Sequence, residues 1–466
     1  MKTIKNEKRY VTLPILEVIQ KSNYKRKDDL YCIIDTIYRR QIYFKTKLQM
    51  NYGFIEIPRA TFLKLIPKPD YVKKAIEFLI DNEIILINNY FVRGVSAKKY
   101  KIKTEFLGSK IGVEIMDKNI NQRIKKLKFD KRKIRVKNME FAKSKYYKSF
   151  KIDYDGASKT IMNKAIEEIK TVCKSINFNL NNNQIEEIID CKGDYIKNRN
   201  IINHLKIGFQ LNNILHRLMV HQQQVNVIND GYLFFKRNKT NGRLDTNLTS
   251  LPSYLRKFIK SDEKLFNLDI KNSQPYFLYT KLLKEESINS DELELYGKLV
   301  LSGTLYEYLA EVFDGVAFEK LYEFEKTIKR KKAKLNLFKI FYSKIGSYQN
   351  IKEQFSSKFP TIMEFLNLTN SIEYNTLAIQ LQERESITVL DVIMVKLQEL
   401  AIYPFTIHDS FIVTESELPI VKKVVLDSCF ELFGVAPQLH EEALFEIEDE
   451  NEDFEDFCLG DLCVKE

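Results

Sequence analysis

The stretch Thr406-Ile407-His408-Asp409-Ser410-Phe411-Ile412-Val413 decides how this chain is read. An apolar strand, a tight polar turn holding one aspartate and a second apolar strand follow one another. A carboxylate at the tip of a buried hairpin is costly unless a cation meets it. Upstream, Leu265-Phe266-Asn267-Leu268-Asp269-Ile270 is another short apolar strand that ends in an aspartate. Two aspartates on neighbouring strand ends are what a two-metal phosphoryl-transfer site needs. One metal activates the attacking oxygen and the other stabilises the leaving oxygen. The expectation from these two segments is nucleotidyl transfer.

Composition sets the outer bounds. The chain has 466 residues, 44% hydrophobic and 29% charged, which suits two to four globular domains. Its net charge of +11 is unevenly spread, because Glu441 to Phe457 holds ten acids and no base. The rest is strongly basic and favours a polyanionic partner, nucleic acid before membrane. A low-GC genome rich in Lys, Ile and Asn would give a similar composition. No apolar run approaches the ~20 residues of a membrane span. Met1 to Arg9 is polar and basic with no apolar core behind it, so cytoplasm is the expectation. The cysteines are scattered without a Cys-x-x-Cys pair, which argues against a zinc site and a disulfide framework. His204, His216, His221 and His440 show no ligand spacing.

Residues 1–110 read as one small module. Asp70 is expected to cap a helix whose Val72, Ile76, Leu79 and Ile80 share a face. Arg59 to Ile66 reads as a short helix between prolines. Ile84 to Ile87 and Tyr90 to Val92 read as a strand pair, with Tyr100 to Ile102 as a third strand. Helix, turn, helix and hairpin in that order resemble a winged helix. Its recognition helix would be Asp70 to Ile80, with Lys73 and Lys74 outward. Winged helices bind duplex DNA or mediate protein contacts.

Residues 111–151 form a very basic stretch, including Lys125, Lys126, Lys128, Lys131, Arg132, Lys133, Arg135 and Lys137. Tyr146, Tyr147 and Phe150 follow. It is either a solvated linker or a phosphate-contacting arm with salt-sensitive binding. Residues 152–239 are helical by pattern, with amphipathic segments around Ile161 to Ile176 and Ile201 to Val220. Asn177 to Asn183 is the polar break between them. Residues 441–466 read as a disordered acidic tail.

Four segments carry the chemistry, in chain order. They are Gly242-Arg243-Leu244 with Thr246 and Leu251-Pro252; Asp269-Ile270-Lys271-Asn272-Ser273-Gln274-Pro275; Arg330, Lys334, Phe338 and Tyr342 at steps of four; and His408-Asp409-Ser410. Residues four apart on a helix share a face. Two cations followed by two aromatics therefore make a stripe suited to a nucleoside triphosphate, the cations on the phosphates and a ring on the base and sugar. Leu335, Leu337, Ile340 and Phe341 would bury the other faces. A lysine-rich amphipathic helix without function is the plain alternative.

Together the four segments, with Phe359-Pro360, resemble the signatures of family A DNA polymerases and the related phage-type single-subunit RNA polymerases. The resemblance covers roughly residues 240–415. It implies an α+β right-hand polymerase behind the winged-helix-like module. The helical thumb would be 152–239, the palm 240–300 and 395–440, and the fingers 301–394. It implies that Asp269 and Asp409, with the backbone carbonyl of Ile270, hold two Mg2+ ions. Arg330 and Lys334 would bind the triphosphate, and Lys334 could protonate the leaving pyrophosphate. Phe338 would pack on the incoming nucleotide and Tyr342 would guard the nascent pair. Arg243, Thr246 and His408 would contact primer-template, Arg243 in the minor groove and His408 at the primer-end phosphate.

The departures bear on sugar choice. Gln274 stands where the DNA enzymes usually carry Glu, and Ser343 where the family has Gly. Ser410 follows the RNA enzymes, whereas Phe338 and Gly242-Arg243-Leu244 lean to DNA. The expectation is a small DNA polymerase without proofreading, suited to a plasmid, phage or mobile element. Its partners would be primer-template DNA and nucleoside triphosphates. An RNA polymerase or primase on the same fold is one alternative. A noncatalytic replication initiator or DNA-binding protein is another.

Overall fold

The computed structural model describes residues 6–41, 54–91, 96–132, 136, 138–175, 180–190, 208–371 and 373–444. The chain divides into two compact units. One comprises Met1–Lys133, Lys151–Leu233 and Phe258–Lys260, and the other Ile134–Phe150, Phe234–Lys257 and Ser261–Glu466.

In the first unit the strands are β1 (Lys8–Thr12), β2 (Ile55–Glu56), β3 (Ile85–Asn88), β4 (Lys99–Ile102) and β5 (Lys110–Glu114). β1 and β5 form an antiparallel pair, and the remaining three form a sheet of order β2-β4-β3. Helices Lys27–Gln41, Arg59–Leu63 and Pro69–Asp81 accompany that sheet. Leu30, Ile34, Ile37, Phe62, Val72 and Leu79 are buried in its core. The helix Pro69–Asp81 leaves Lys73 and Lys74 exposed.

Three sequence expectations need correction here. Asp70 is not the cap: extended Lys68 takes that place and Pro69 opens the helix. Proline suits the first helical position, where its missing N–H costs nothing, and this moves the start two residues earlier. Asp70 lies in the first turn instead, where its charge complements the helix dipole. The partner of β3 is β4 rather than Tyr90 to Val92, with Ile85 opposite Ile102. Tyr100 and Ile102 point into the core, whereas Tyr90 and Phe91 are exposed and Val92 lies outside the described residues. The short helix closes at Leu63 instead of Ile66.

A buried ionic cluster joins elements of this unit. Asp35 accepts from Arg39 at 2.6 Å and pairs with Arg9 at 3.3 Å. Lys110 donates to Gln223 at 2.9 Å and lies 4.4 Å from the ring centre of Tyr38. Burial pushes the Lys110 ammonium down to about 7; Asp35 raises it and Arg39 lowers it further.

Part of the basic stretch is helical. Lys118–Arg132 is a helix that buries Ile120 and Ile124 and leaves Lys125 and Lys126 exposed. Lys128 is held by Glu7 and by the carbonyl of Asp230. Lys133, Arg135 and Lys137 lie outside the described residues. The helical pattern downstream appears as Tyr154–Lys174, Asn182–Asp190 and Gly208–Asn229. Asn182 and Asn183 thus belong to a helix rather than to the break. Ile176 and residues 201–207 fall outside the described residues.

In the second unit, helix Glu140–Ser149 carries Tyr146 into the core beside Phe150, with ring centres 4.8 Å apart. These aromatics are packing groups and present no stacking face to nucleic acid. The strands are β6 (Phe235–Arg237), β7 (Leu244–Thr246), β8 (Leu265–Ile270), β9 (Phe405–Ile407), β10 (Ser410–Thr414) and β11 (Leu439–Ala443). β6 and β7 form a hairpin, and the others an antiparallel sheet of order β11-β8-β10-β9. β11 corrects the tail: Glu441 and Glu442 stand opposite Leu268 and Asn267 of β8. A charged edge strand pairs through its backbone and discourages further strands from adding. Phe445 to Glu466 lie outside the described residues.

Candidate active site

β8 and β10 place the two aspartates. The register sets Ser410 opposite Asp269, and the Ile270 N–H donates to the Asp409 carbonyl at 3.3 Å. Leu265, Leu268 and Ile270 of β8 are buried, while Asp269 is half-buried at the end of the strand. β10 is buried from Ser410 to Val413. The sheet is therefore fixed by apolar side chains, and register sets where its polar end stands.

His408 and Asp409 form the two-residue turn between β9 and β10. His408 has φ +55°, a left-handed conformation rare for a side-chain-bearing residue. Such strain persists where surrounding structure holds it and clusters at functional sites. The imidazole is pushed down to about 3 by burial, with the charges of Arg243 and Arg256 adding to the effect. It is neutral near pH 7, and its Nδ1 has no hydrogen-bond partner among the described residues. The Asp409 side chain is half-buried.

The helix Glu323–Tyr342 carries the expected stripe. The Lys334 ammonium lies 6.0 Å from the Phe338 ring centre, and the Phe338 and Tyr342 rings are 5.7 Å apart. Arg330 Nε donates to Glu307 at 2.7 Å, and its guanidinium lies 5.5 Å from the Tyr306 ring centre. Leu337, Ile340 and Phe341 are buried as expected, but Leu335 is exposed. Tyr306 links the stripe electrostatically to the strands. Burial pushes its hydroxyl above its ordinary range; Arg330 opposes this, and the charges of Asp409, Glu307 and Asp269 add to it. Phe359 is fully buried against Tyr296 and Phe355 and opens helix Pro360–Asn370, so its role is packing.

A buried hydrogen-bond chain runs through the rest of the site. Arg243 gives Nε and Nη2 to the two carboxylate oxygens of Glu385, both at 2.8 Å. Gln274 Nε2 donates to Glu385, and the Tyr342 hydroxyl donates to Gln274 Oε1 at 2.9 Å. Burial pushes Glu385 up to about 7; Arg243 and Gln274 lower it, and the charge of Asp409 raises it. The β6–β7 turn is clamped to the same helix, Thr376–Ser386, and to the π-helical segment Ile387–Ile393. Arg237 donates twice to Asp391, and Asn241 donates to Gln382 at 2.8 Å. Gly242 has φ +70°, and a Cβ there would come within 3.0 Å of Ser386 Oγ. Its carbonyl accepts from Ser386 and from Arg237. Both the conformation and the close approach need glycine.

Thr246 is placed elsewhere than expected. It is 2% exposed and lines a small apolar cavity with Met139, Tyr146 and Phe405, so its side chain presents nothing to a primer-template. Arg243 is likewise largely buried and already committed to Glu385. Sequence reasoning missed Glu385, Asp391, Tyr306 and Glu307. One signal for Glu385 was available: Leu377, Leu381 and Glu385 fall at steps of four, so the carboxylate stands in line with two core leucines.

Among the described residues no group of three or more His, Cys, Asp or Glu could hold a metal ion, and no helix is long and apolar enough to cross a membrane. No family model matches the sequence, and no curated protein does. Among solved structures the chain is similar to the POL domain of Pol1 from M. smegmatis, in complex with DNA primer-template and dNTP. The TM-score is 0.45 at 12% identity, over 70% of this chain and 72% of that one.

Proposed function

We propose that this chain is a template-directed nucleotidyl transferase, a small family A-like DNA polymerase that acts without proofreading. One observation carries the reading. Asp269 stands at the end of β8 and Asp409 in the turn that opens the neighbouring β10, and the Arg330-Lys334-Phe338-Tyr342 stripe belongs to the same unit, with Tyr306 in the field of both.

Asp269 and Asp409, with the Ile270 carbonyl, would hold two Mg2+ ions. The donor set fits: all are hard oxygens, and Mg2+ commonly takes only one or two carboxylates, leaving its other positions to water and phosphate. When bound, the ions would supply charge stabilisation to the attacking and leaving oxygens. The reaction is attack of a primer 3′-hydroxyl on the α-phosphate of a nucleotide, with pyrophosphate leaving. Arg330 exchanges Glu307 for the triphosphate. Lys334 binds it too and is the candidate to protonate the pyrophosphate. Phe338 packs on the incoming nucleotide, while Tyr342 and Gln274 bound the sugar. His408, neutral, donates to or accepts from the primer-end phosphate region without adding charge. Positioning and electrostatics do most of the work.

Residues 1–110 are read as the winged-helix-like module. Among the described residues from 27 to 102, the order of helix, strand, helix, helix, strand, strand and the β2-β4-β3 sheet support it. Exposed Lys73 and Lys74 would meet DNA phosphates. A module of this kind ahead of a small polymerase suits a mobile element, plasmid or phage.

An RNA polymerase or primase is the second reading, favoured by the uncharged Gln274 and by Ser410. Extension of a labelled primer on a DNA template with magnesium tests both, with deoxynucleotides and ribonucleotides in separate lanes. Deoxynucleotide extension lost in Asp409→Ala supports the first reading. Ribonucleotide products from unprimed template move the assignment to the second. No extension under either condition leaves a DNA-binding protein.

A further inference from the structure

We propose that Glu385 is a positioning residue that sets the sugar preference of the nucleotide site, by fixing the side-chain amide of Gln274; the proposal rests on the polymerase reading of that site. Two N–H donors of Arg243 meet the two oxygens of Glu385, which selects its carboxylate form; a carboxylate only accepts hydrogen bonds, and an amide offers one accepting and one donating end. With Arg243 on its two oxygens, Glu385 can take only the NH2 end of Gln274. The carbonyl end is then turned to the Tyr342 hydroxyl, which donates to it. Both ends of the amide are committed, and Gln274 and Glu385 are buried.

The consequence follows from what a ribose would add. A 2′-hydroxyl entering beside Gln274 needs room and a hydrogen-bond partner. An unheld glutamine supplies both, because its side chain swings and either end can meet a hydroxyl. A glutamine pinned at both ends cannot swing aside to give room, and its remaining N–H and lone pair point in fixed directions, so a hydroxyl is met only if it falls on one of them. A buried hydroxyl left without a partner is costly, so the deoxyribonucleotide is favoured. Glu385 thus does through a neighbour what a carboxylate at position 274 would do directly. The charged or titratable groups facing it are Arg243 from the β6–β7 turn, Asp409 from the β9–β10 turn and Tyr342 from the helix Glu323–Tyr342.

Single-nucleotide extension by the full chain tests this, read as the ratio of kcat/KM for a deoxynucleotide over the matching ribonucleotide. Glu385→Gln keeps the shape but sets an NH2 against Arg243 or Gln274, and the deoxynucleotide preference should fall about tenfold, the worth of one charged hydrogen bond. The exchange Gln274→Glu with Glu385→Gln rebuilds the chain with its polarity intact. The carboxylate brought to position 274 then accepts from Tyr342 and from the amide brought to position 385, and the carbonyl of that amide accepts from Arg243. The exchanged protein should recover the preference, which shows that the rebuilt chain still gates; because a carboxylate at position 274 can gate by itself, the role of Glu385 is read from Glu385→Gln. Glu385→Asp keeps the charge beside Arg243 but draws the carboxylate back from Gln274, should also lower the ratio, and keeps the test decisive if Glu385→Gln folds poorly. An active Glu385→Gln with an unchanged ratio overturns the proposal, as does an active exchanged protein without the preference. A wild type that already favours ribonucleotides overturns it too, because the held amide then excludes nothing. A wild type that incorporates neither nucleotide sinks the polymerase reading itself, and the proposal with it.

Discussion

The guanidinium of Arg237 donates two hydrogen bonds, both 2.6 Å, to the carboxylate of Asp391, which stands in a π-helical segment. The pair ties the β6–β7 hairpin to the helix that supplies Glu385. Two parallel bonds between planar groups fix orientation as well as distance. A π-helical turn inside a longer helix commonly marks a functional place, and here it carries the acceptor of the clamp.

Both side chains of that pair are about a quarter exposed. A cycle of Arg237→Ala, Asp391→Ala and the double variant, followed by urea unfolding, should therefore show a coupling of about 1 kcal/mol. A coupling near zero would mean that the hairpin is held by Gly242, Asn241 and Arg243 alone.

Asp409→Ala and Asp269→Asn should each lower primer extension by on the order of a thousandfold, as when a group that stabilises transition-state charge is removed. Thermal unfolding should barely move, because both aspartates are half-buried at strand ends and β8 and β10 are held by their apolar residues. Retained extension in either variant would remove the two-metal reading.

Lys110 predicts a pH dependence of stability. Its folded value, about 7, lies below the ordinary lysine value of 10.5. Between those limits the unfolded chain binds the extra proton, so stability rises with pH across that window. Lys110→Met removes the effect. The advantage of Lys110→Met over wild type, read from urea midpoints between about pH 7 and 9.5, should shrink as pH increases. A constant difference would show that burial does not depress this lysine.

Lys73→Ala and Lys74→Ala should weaken binding to duplex DNA to a similar extent whatever its sequence. Each should reduce the dependence of log affinity on log salt by roughly one. Fluorescence anisotropy over a sodium chloride series measures both. An unchanged slope would direct the helix Pro69–Asp81 toward a protein partner instead.

Short-range pattern was enough for much of this. β8 and β10 were legible as apolar runs ending in polar residues, and the hairpin turn at His408 and Asp409 as the polar gap between two of them. The stripe from Arg330 to Tyr342 followed from steps of four alone, and its aromatic end is in contact as expected. Where pattern was ambiguous it failed. Tyr90 to Val92 and Lys99 to Ile102 are comparable strand candidates, and only the burial of Tyr100 and Ile102 against the core chooses between them. Acidic Glu441 and Glu442 looked like a tail because a strand that pairs through its backbone needs no apolar signature.

Residue order alone was therefore sufficient to say which side chains could do chemistry and on what local element each would sit. Their partners were chosen only when the chain packed. Arg243 and Glu385 are far apart in the chain, yet they form a bidentate buried pair that also holds Gln274. Periodicity reports which face of a helix is buried. It says nothing of which distant cation will meet a carboxylate there, because that choice is made by desolvation once the elements have come together.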